Sequence, residues 1–308
     1  MLNMFRKADV AIRAVLIAMV CYVPGIYAQS SFCCPTSCCG QGFLSGEFLY
    51  WRAYEGGLDE CRTLDSCDIT THREVSSTFK GKRNDPHFEW NPGYRAGVGY
   101  QFARGWDIAA YWTEFHSRAE GFGIHKHERK WKLNFEVADI LIGYSFEVYP
   151  CFTIRPFAGV RGAKIDQSLK VNQSSCCLST YLKENNSEKF TGIGPLLGIE
   201  ANLQLGCDFG LYADIAVATL FGNYNVHFKK AQIFNGSSSF CNLRQHLNAY
   251  QGVVDAAFGI SWQRCFCNNM MWLFKLGVEH HCYFNHNRIG NYGNLYLDGG
   301  TFSASLAF

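Results

Sequence analysis

From residue 43 onward the chain alternates apolar and polar side chains with a period of two, the repeat of extended strands whose two faces meet different surroundings. Over 250–262 one face reads Tyr250, Gly252, Val254, Ala256, Phe258, Ile260, Trp262, and the other Gln251, Val253, Asp255, Ala257, Gly259, Ser261. The segments 193–205 and 272–281 repeat the pattern. Ten stretches carry it: 43–53, 88–102, 106–117, 131–147, 152–166, 190–205, 209–228, 246–263, 271–284 and 295–308. Each supplies the ~10 residues that a tilted strand needs to cross a bilayer. The fourth is least regular. Leu133, Phe135 and Val137 share one face while Ile140 and Ile142 fall on the other, so a bulge near Ala138-Asp139 is expected to restore the phase.

The connections alternate in length. Short links sit at 103–105, 148–151, 206–208 and 264–270, and long ones at 54–87, 118–130, 167–189, 229–245 and 285–294. This alternation, with an even strand count, predicts a single antiparallel transmembrane β-barrel of about ten strands, within a range of roughly eight to twelve. Short turns and both termini face the periplasm, and long loops face outward. The closing stretch, Phe302-Ser303-Ala304-Ser305-Leu306-Ala307-Phe308, suits a strand that must seal against the first, because an open edge in lipid leaves backbone groups unpaired. A soluble β-sandwich would have shorter strands with more frequent turns.

Composition agrees with long strands: 16% aromatic residues, 30 Gly and 7 Pro. Arg6, Lys7 and Arg13, the uncharged run 14–23, and Ala28 after Pro24-Gly25 follow the order of a secretory signal, with cleavage expected near Ala28. The expected organisation is therefore a signal over 1–28, a Cys-rich periplasmic tail over 29–42 and the barrel over 43–308. Removing the signal leaves 25 Lys+Arg and 25 Asp+Glu, a formal charge of zero that gives no electrostatic case for nucleic acid. The partner expected is outer-membrane lipid.

The apolar faces carry aromatics near strand ends (Tyr94, Phe102, Trp106, Trp112, Phe152, Tyr250, Trp262, Trp272, Phe302, Phe308), as interfacial girdles do. The opposite faces carry Glu47, Arg95, Asp107, Arg155, Arg161, Glu200, Asp214, Asp255, Lys275 and Glu279. A Lys or Arg on the lipid face costs roughly 2–4 kcal/mol at mid-membrane, so these ten residues are expected to line the lumen. Opposed charges there either border a water-filled constriction or pair across a narrow bore and plug it.

Fourteen Cys follow the signal, an even number. Cys33, Cys34, Cys38, Cys39, Cys151, Cys207, Cys265 and Cys267 fall on the periplasmic side of the expected topology. Cys61, Cys67, Cys176, Cys177, Cys241 and Cys282 fall in or near the outer loops. An oxidising location makes all of them disulfide candidates, within the chain or to other envelope proteins. A zinc site in the cluster 33–39 is the rival reading, disfavoured by the absence of a neighbouring His. His280, His281, His286 and Asp298 near the last outer loop, and His125 with His127, are the candidate catalytic or metal groups. Nothing in the sequence sets the hydrogen-bond distance a general base needs. No nucleophile or phosphate-loop motif occurs. No enzyme activity, metal or cofactor is expected.

Several blocks carry a resemblance: Phe48-Leu49-Tyr50-Trp51-Arg52-Ala53, Trp90-Asn91-Pro92-Gly93-Tyr94-Arg95-Ala96-Gly97-Val98-Gly99-Tyr100 and Arg155-Pro156-Phe157-Ala158-Gly159-Val160-Arg161. To these add Gly192-Ile193-Gly194-Pro195-Leu196-Leu197-Gly198 and Ala257-Phe258-Gly259-Ile260-Ser261-Trp262. In order and spacing, over about 43–308, they resemble the Legionella-type major outer membrane protein family, which also occurs in Chlamydia-related bacteria. The resemblance implies an outer-membrane barrel, commonly porin-like and often disulfide-linked in the envelope, and carries over no catalytic residue. The function expected is passage of small hydrophilic solutes. The alternative is a disulfide-stabilised structural or adhesive envelope protein with a plugged narrow barrel.

Overall fold

The computed structural model describes residues 40–58, 87–123, 127–175, 180–206, 208–234, 237–266, 270–289 and 292–308. The expected signal lies outside them, as does the expected tail up to residue 39; Gln41 and Gly42, expected in the tail, belong to the first strand. Also outside them lie Cys33, Cys34, Cys38, Cys39, Cys61, Cys67, Cys176, Cys177, Cys207 and Cys267.

Ten strands form the wall: β1 (Gln41–Glu55), β2 (Trp90–Gln101), β3 (Trp106–Gly123), β4 (His127–Tyr144), β5 (Phe152–Ser175), β6 (Thr180–Gly206), β7 (Phe209–Phe234), β8 (Ser237–Cys265), β9 (Met271–Tyr283) and β10 (Leu295–Ala307). Every strand pairs antiparallel with the next, and β10 returns to β1. The seam closes with two backbone hydrogen bonds between Gly42 and Phe308, 2.9 and 3.0 Å long, so neither end strand presents an unpaired edge to lipid. On the turn side, Gly105 (φ +83°) takes a left-handed conformation that a Cβ would strain.

Two sequence expectations need correction. Most of the outer connections expected at 118–130, 167–189 and 229–245 are strand: β3–β4, β5–β6 and β7–β8 are long hairpins that reach well past the apolar band. There is also no bulge at Ala138-Asp139. The β4 ladder runs unbroken against both β3 and β5 through these residues.

One physical change explains both corrections. On β3 the outward side chains are Ile108, Ala110 and Trp112, then Glu114, His116, Arg118 and Glu120; the inward ones are Asp107, Ala109, Tyr111 and Thr113, then Phe115, Ser117 and Ala119. The parity never slips; the chemistry swaps. Low on the wall, lipid lies outside and polar groups face in. Above a rim near Trp112, Val160, Ile193, Phe221 and Tyr250, water lies outside and apolar groups fill the interior, as in a soluble barrel. The β4 sequence crosses the same boundary: Leu133, Phe135 and Val137 point in above it, and Ile140 and Ile142 point out below it.

The outer half of the interior is packed. Trp51, Phe115, Trp131, Leu133, Ile165, Phe190, Leu220, Tyr224, Leu295 and Leu297 are fully buried or within about 1% of it and belong to one apolar cluster. The loop after β9 folds into this core rather than lying over it: His286, Asn287 and Ile289 are buried.

Candidate functional site in the barrel interior

Below the apolar core, the interior holds a cavity of about 180 Å³. By volume it could hold on the order of ten waters. Nine of the ten charged residues singled out from the sequence border it: Glu47, Arg95, Arg155, Arg161, Glu200, Asp214, Asp255, Lys275 and Glu279. The tenth, Asp107, reaches the same group by binding Arg155, with Nε donating to Oδ2 at 2.8 Å.

Strand parity places these side chains, and glycine makes room for them. Gly97 on β2 faces inward beside Tyr111, where an added Cβ would come within 2.6 Å of the tyrosine ring. Arg95 on the same face donates to Glu47 at 2.6 Å, to both oxygens of Glu279 at 3.0 and 3.1 Å, and through Nε to Thr113 at 3.0 Å.

The ion pairs form two chains. In the first, Glu47 and Glu279 share Arg95. His281 then bridges Glu279 at 3.2 Å and Asp255 at 2.8 Å. Asp255 also accepts from Arg161, whose guanidinium holds Asp139 in a bidentate pair at 2.8 and 2.9 Å. The second chain links Asp107, Arg155, Glu200 and Lys275, with Lys275 donating to Glu200 at 2.7 Å. Both chains cross the bore: Arg95 on β2 reaches β9, Arg161 on β5 reaches β8, and Lys275 on β9 reaches β6. Every arginine and lysine in the cavity is engaged by carboxylates. Asp214, by contrast, has a buried carboxylate oxygen with no hydrogen-bond partner.

Sequence reasoning missed Asp139, Tyr111 and Thr113, and grouped His281 with His280, His286 and Asp298 near the last outer loop rather than with the lumen charges. Asp139 was hidden by the bulge expected beside it. Uninterrupted parity along β4 was the signal that could have found it.

A second polar group is sealed in the outer half, beyond the membrane-spanning part of the wall. The backbone N–H of Arg288 donates to Glu188 at 2.6 Å, and the Arg288 guanidinium lies over the ring of Tyr224 at 5.3 Å. Tyr224 also hydrogen-bonds Gln251, and His286 meets Gln251 at 3.1 Å. Gln167 joins Trp131 to Glu55 at 3.0 and 3.2 Å. Burial pushes the Glu188 carboxyl up to about 8 and raises that of Glu55 as well. Burial and the nearby Arg288 charge hold the His286 imidazole down at about 3.

The residues weighed as catalytic are separated. His280 and Asp298 pair on the exposed outer face, His281 points into the cavity, and His286 sits in the plugged half. His125 lies outside the described residues. The cysteine candidates divide too. Cys241, expected in an outer connection, lies within β8, and Cys282 lies within β9 near its outer end. As a correction to their candidacy for pairing within the chain, Cys151 and Cys282 carry free thiols: Cys151 is exposed in a turn, and Cys282 is buried on the outward face of β9 opposite Tyr296. Cys241 and Cys265 are not free.

An apolar outer band around a charged interior, closed without an edge, defines an integral β-barrel protein of the bacterial outer membrane. Within that class, the chain belongs to the Legionella pneumophila major outer membrane protein precursor family, whose sequence profile matches residues 40–303. Among solved structures it is similar to the outer membrane protease OmpT of Escherichia coli, at 11% identity over 88% of this chain and 96% of that one, with a TM-score of 0.45. It is also similar to the outer membrane protein AlkL (11% identity, 87% and 90% covered, TM-score 0.34) and to the Pseudomonas putida toluene transporter TodX (8% identity, 87% and 89% covered, TM-score 0.29). No curated protein matches the sequence.

Proposed function

We propose that this protein is a structural, surface-presenting barrel whose bore is shut, and that its rigidity and outward hairpins matter more than conduction. The observation that carries this reading is the contact between Phe135 and Tyr283. These two buried side chains belong to β4 and β9, which stand opposite each other in the ring, yet their ring centroids are 5.6 Å apart. The pair bridges the bore, and the buried apolar cluster to which both belong surrounds it. The cations beneath are each held by carboxylates, which leaves none of the cavity's Arg or Lys free to draw an anion through. Single-channel recording in planar bilayers tests this. Correctly folded protein is expected to stay silent, and reproducible conductance steps would defeat the proposal.

The second reading, porin-like passage of small hydrophilic solutes, draws support from the charged cavity. It requires the outer core to open, and residues 285–289, after β9, enter that core. The free thiol of exposed Cys151 and the many cysteines outside the described residues support a further part of the proposal, disulfide links to neighbouring envelope proteins. Higher-mass species on non-reducing gels that collapse on reduction are expected; a monomer under both conditions would remove cross-linking from the proposal.

A further inference from the structure

The outward face of the four longest strands, β5 to β8, changes character at the rim. At the rim itself, Gly162, Ile193, Phe221 and Tyr250 are consecutive cross-strand neighbours. The rows above it read Lys164-Thr191-Asn223-Asn248, then Asp166-Lys189-Asn225-His246, then Ser168-Ser187-His227-Arg244, then Lys170-Asn185-Lys229-Asn242. Rows on one face are two residues apart, about 7 Å along the strand, and neighbours within a row are about 5 Å apart. With the strands tilted by roughly 45°, the four rows occupy the first ~20 Å above the apolar band.

The charge on this face is lopsided. Lys164, Lys170, Lys189, Lys229 and Arg244 stand against one acid, Asp166, in those rows. Lys164 is tied to Glu136 and Lys189 to Asp166, at 3.1 and 3.5 Å. Lys170, Lys229 and Arg244 are exposed, and no carboxylate of the described residues forms an ion pair with them. Between them lie hydroxyl and amide side chains. The neighbouring wall of β3 and β4 is different: Glu114, Glu120, Glu128 and Glu136 balance Arg118, Lys130 and Lys132, and Lys130 is bound to Glu128 at 2.7 Å.

We propose that this wall of β5–β8 docks the phosphorylated, sugar-bearing headgroups of the outer-leaflet glycolipid. Two facts point to that occupant. The surface continues directly from the lipid-facing band, so a lipid whose acyl chains pack against Ile193 and Phe221 has its headgroup at these rows. Its chemistry is also complementary: cations for phosphate, and amides and hydroxyls for sugar. The inference does not depend on whether the bore is open.

The test uses the full chain folded in detergent and titrated with purified lipopolysaccharide, following the heat-induced unfolding midpoint. Lipopolysaccharide is expected to raise the midpoint, and chemically dephosphorylated lipopolysaccharide to raise it much less. The triple variant Lys170→Gln, Lys229→Gln, Arg244→Gln should weaken the apparent affinity at least ~10-fold. The control triple Arg118→Gln, Lys130→Gln, Lys132→Gln should change it by less than about twofold. Equal losses in both triples, or no loss in the first, overturn the proposal. So does a soluble polyanion such as dextran sulfate binding the unaltered wall as tightly as the glycolipid, since the face would then read charge alone.

Discussion

Replacing Arg161 with methionine is expected to destabilise the barrel by roughly 3–5 kcal/mol, the cost of leaving buried charges without their partner. Arg161 is 7% exposed and holds two carboxylates at once, Asp139 on β4 and Asp255 on β8. Methionine fills much of the same volume, so packing changes little, and the loss is electrostatic and hydrogen-bonding. Asp139 then has no cation of its own, while Asp255 keeps only His281 at 2.8 Å. The expected result is a lower urea midpoint in detergent, read by the gel shift between folded and unfolded barrel. Adding Asp139→Asn and Asp255→Asn to Arg161→Met should recover most of the loss, because an apolar or neutral replacement of a whole buried ion cluster is often near neutral in stability. A single variant within about 1 kcal/mol of the parent would mean that water already screens these charges. The cavity would then be wetter than its ion pairs imply.

The barrel was legible in the sequence because lipid and lumen impose opposite chemistry on alternate residues, and that contrast survives strand by strand. Tyr250 to Trp262 could be read without any structure. The outer extension of the hairpins was not legible, for a physical reason. Past the rim the contrast reverses sign, so a reader following hydropathy sees apolar residues jump to the other parity. That jump imitates a bulge at Ala138-Asp139 and imitates loops over 167–189 and 229–245, where Asn, Ser and Lys on the water-facing side reinforce the impression.

Parity sets Glu47, Arg95 and Glu279 on the polar faces of their strands, but not that Arg95 binds both acids, one on a neighbouring strand and one across the bore, since register and strand number fix that. The plug was least legible of all. Residues 285–294 are mostly polar, and only Ile289 hints at burial. The loop turns inward because Glu188, Tyr224 and Gln251 wait inside as hydrogen-bond partners, and those lie on three strands remote in sequence.

Those same partners make the outer half of the barrel sensitive to pH, and stability is expected to fall between pH 5 and pH 8. Glu188 is buried with one oxygen unpartnered and ionises only at about 8 in the fold, against roughly 4.3 in an unfolded chain. Its contribution is therefore complete below about 4.3 and disappears as pH rises to about 8. Glu55, raised in the same direction and facing Glu188, adds to that slope.

His286 works the other way. The unfolded chain takes up a proton below roughly 6.5, while the buried imidazole resists until about 3, so stability falls as pH drops through that interval. From about 4.3 to 6.5 Glu188 and His286 oppose each other, and the raised Glu55 tips the slope downward with rising pH. From about 6.5 to 8 Glu188 acts without that opposition and the fall is steepest. The shift at Glu188 corresponds to on the order of 5 kcal/mol across its range. Glu188→Gln keeps an oxygen for the Arg288 N–H and removes the titration. It should flatten the profile of unfolding midpoint against pH and make the variant more stable than the parent at pH 8. Parallel profiles for parent and variant would show that water reaches this carboxylate, and the outer core would then be open where it is described as closed.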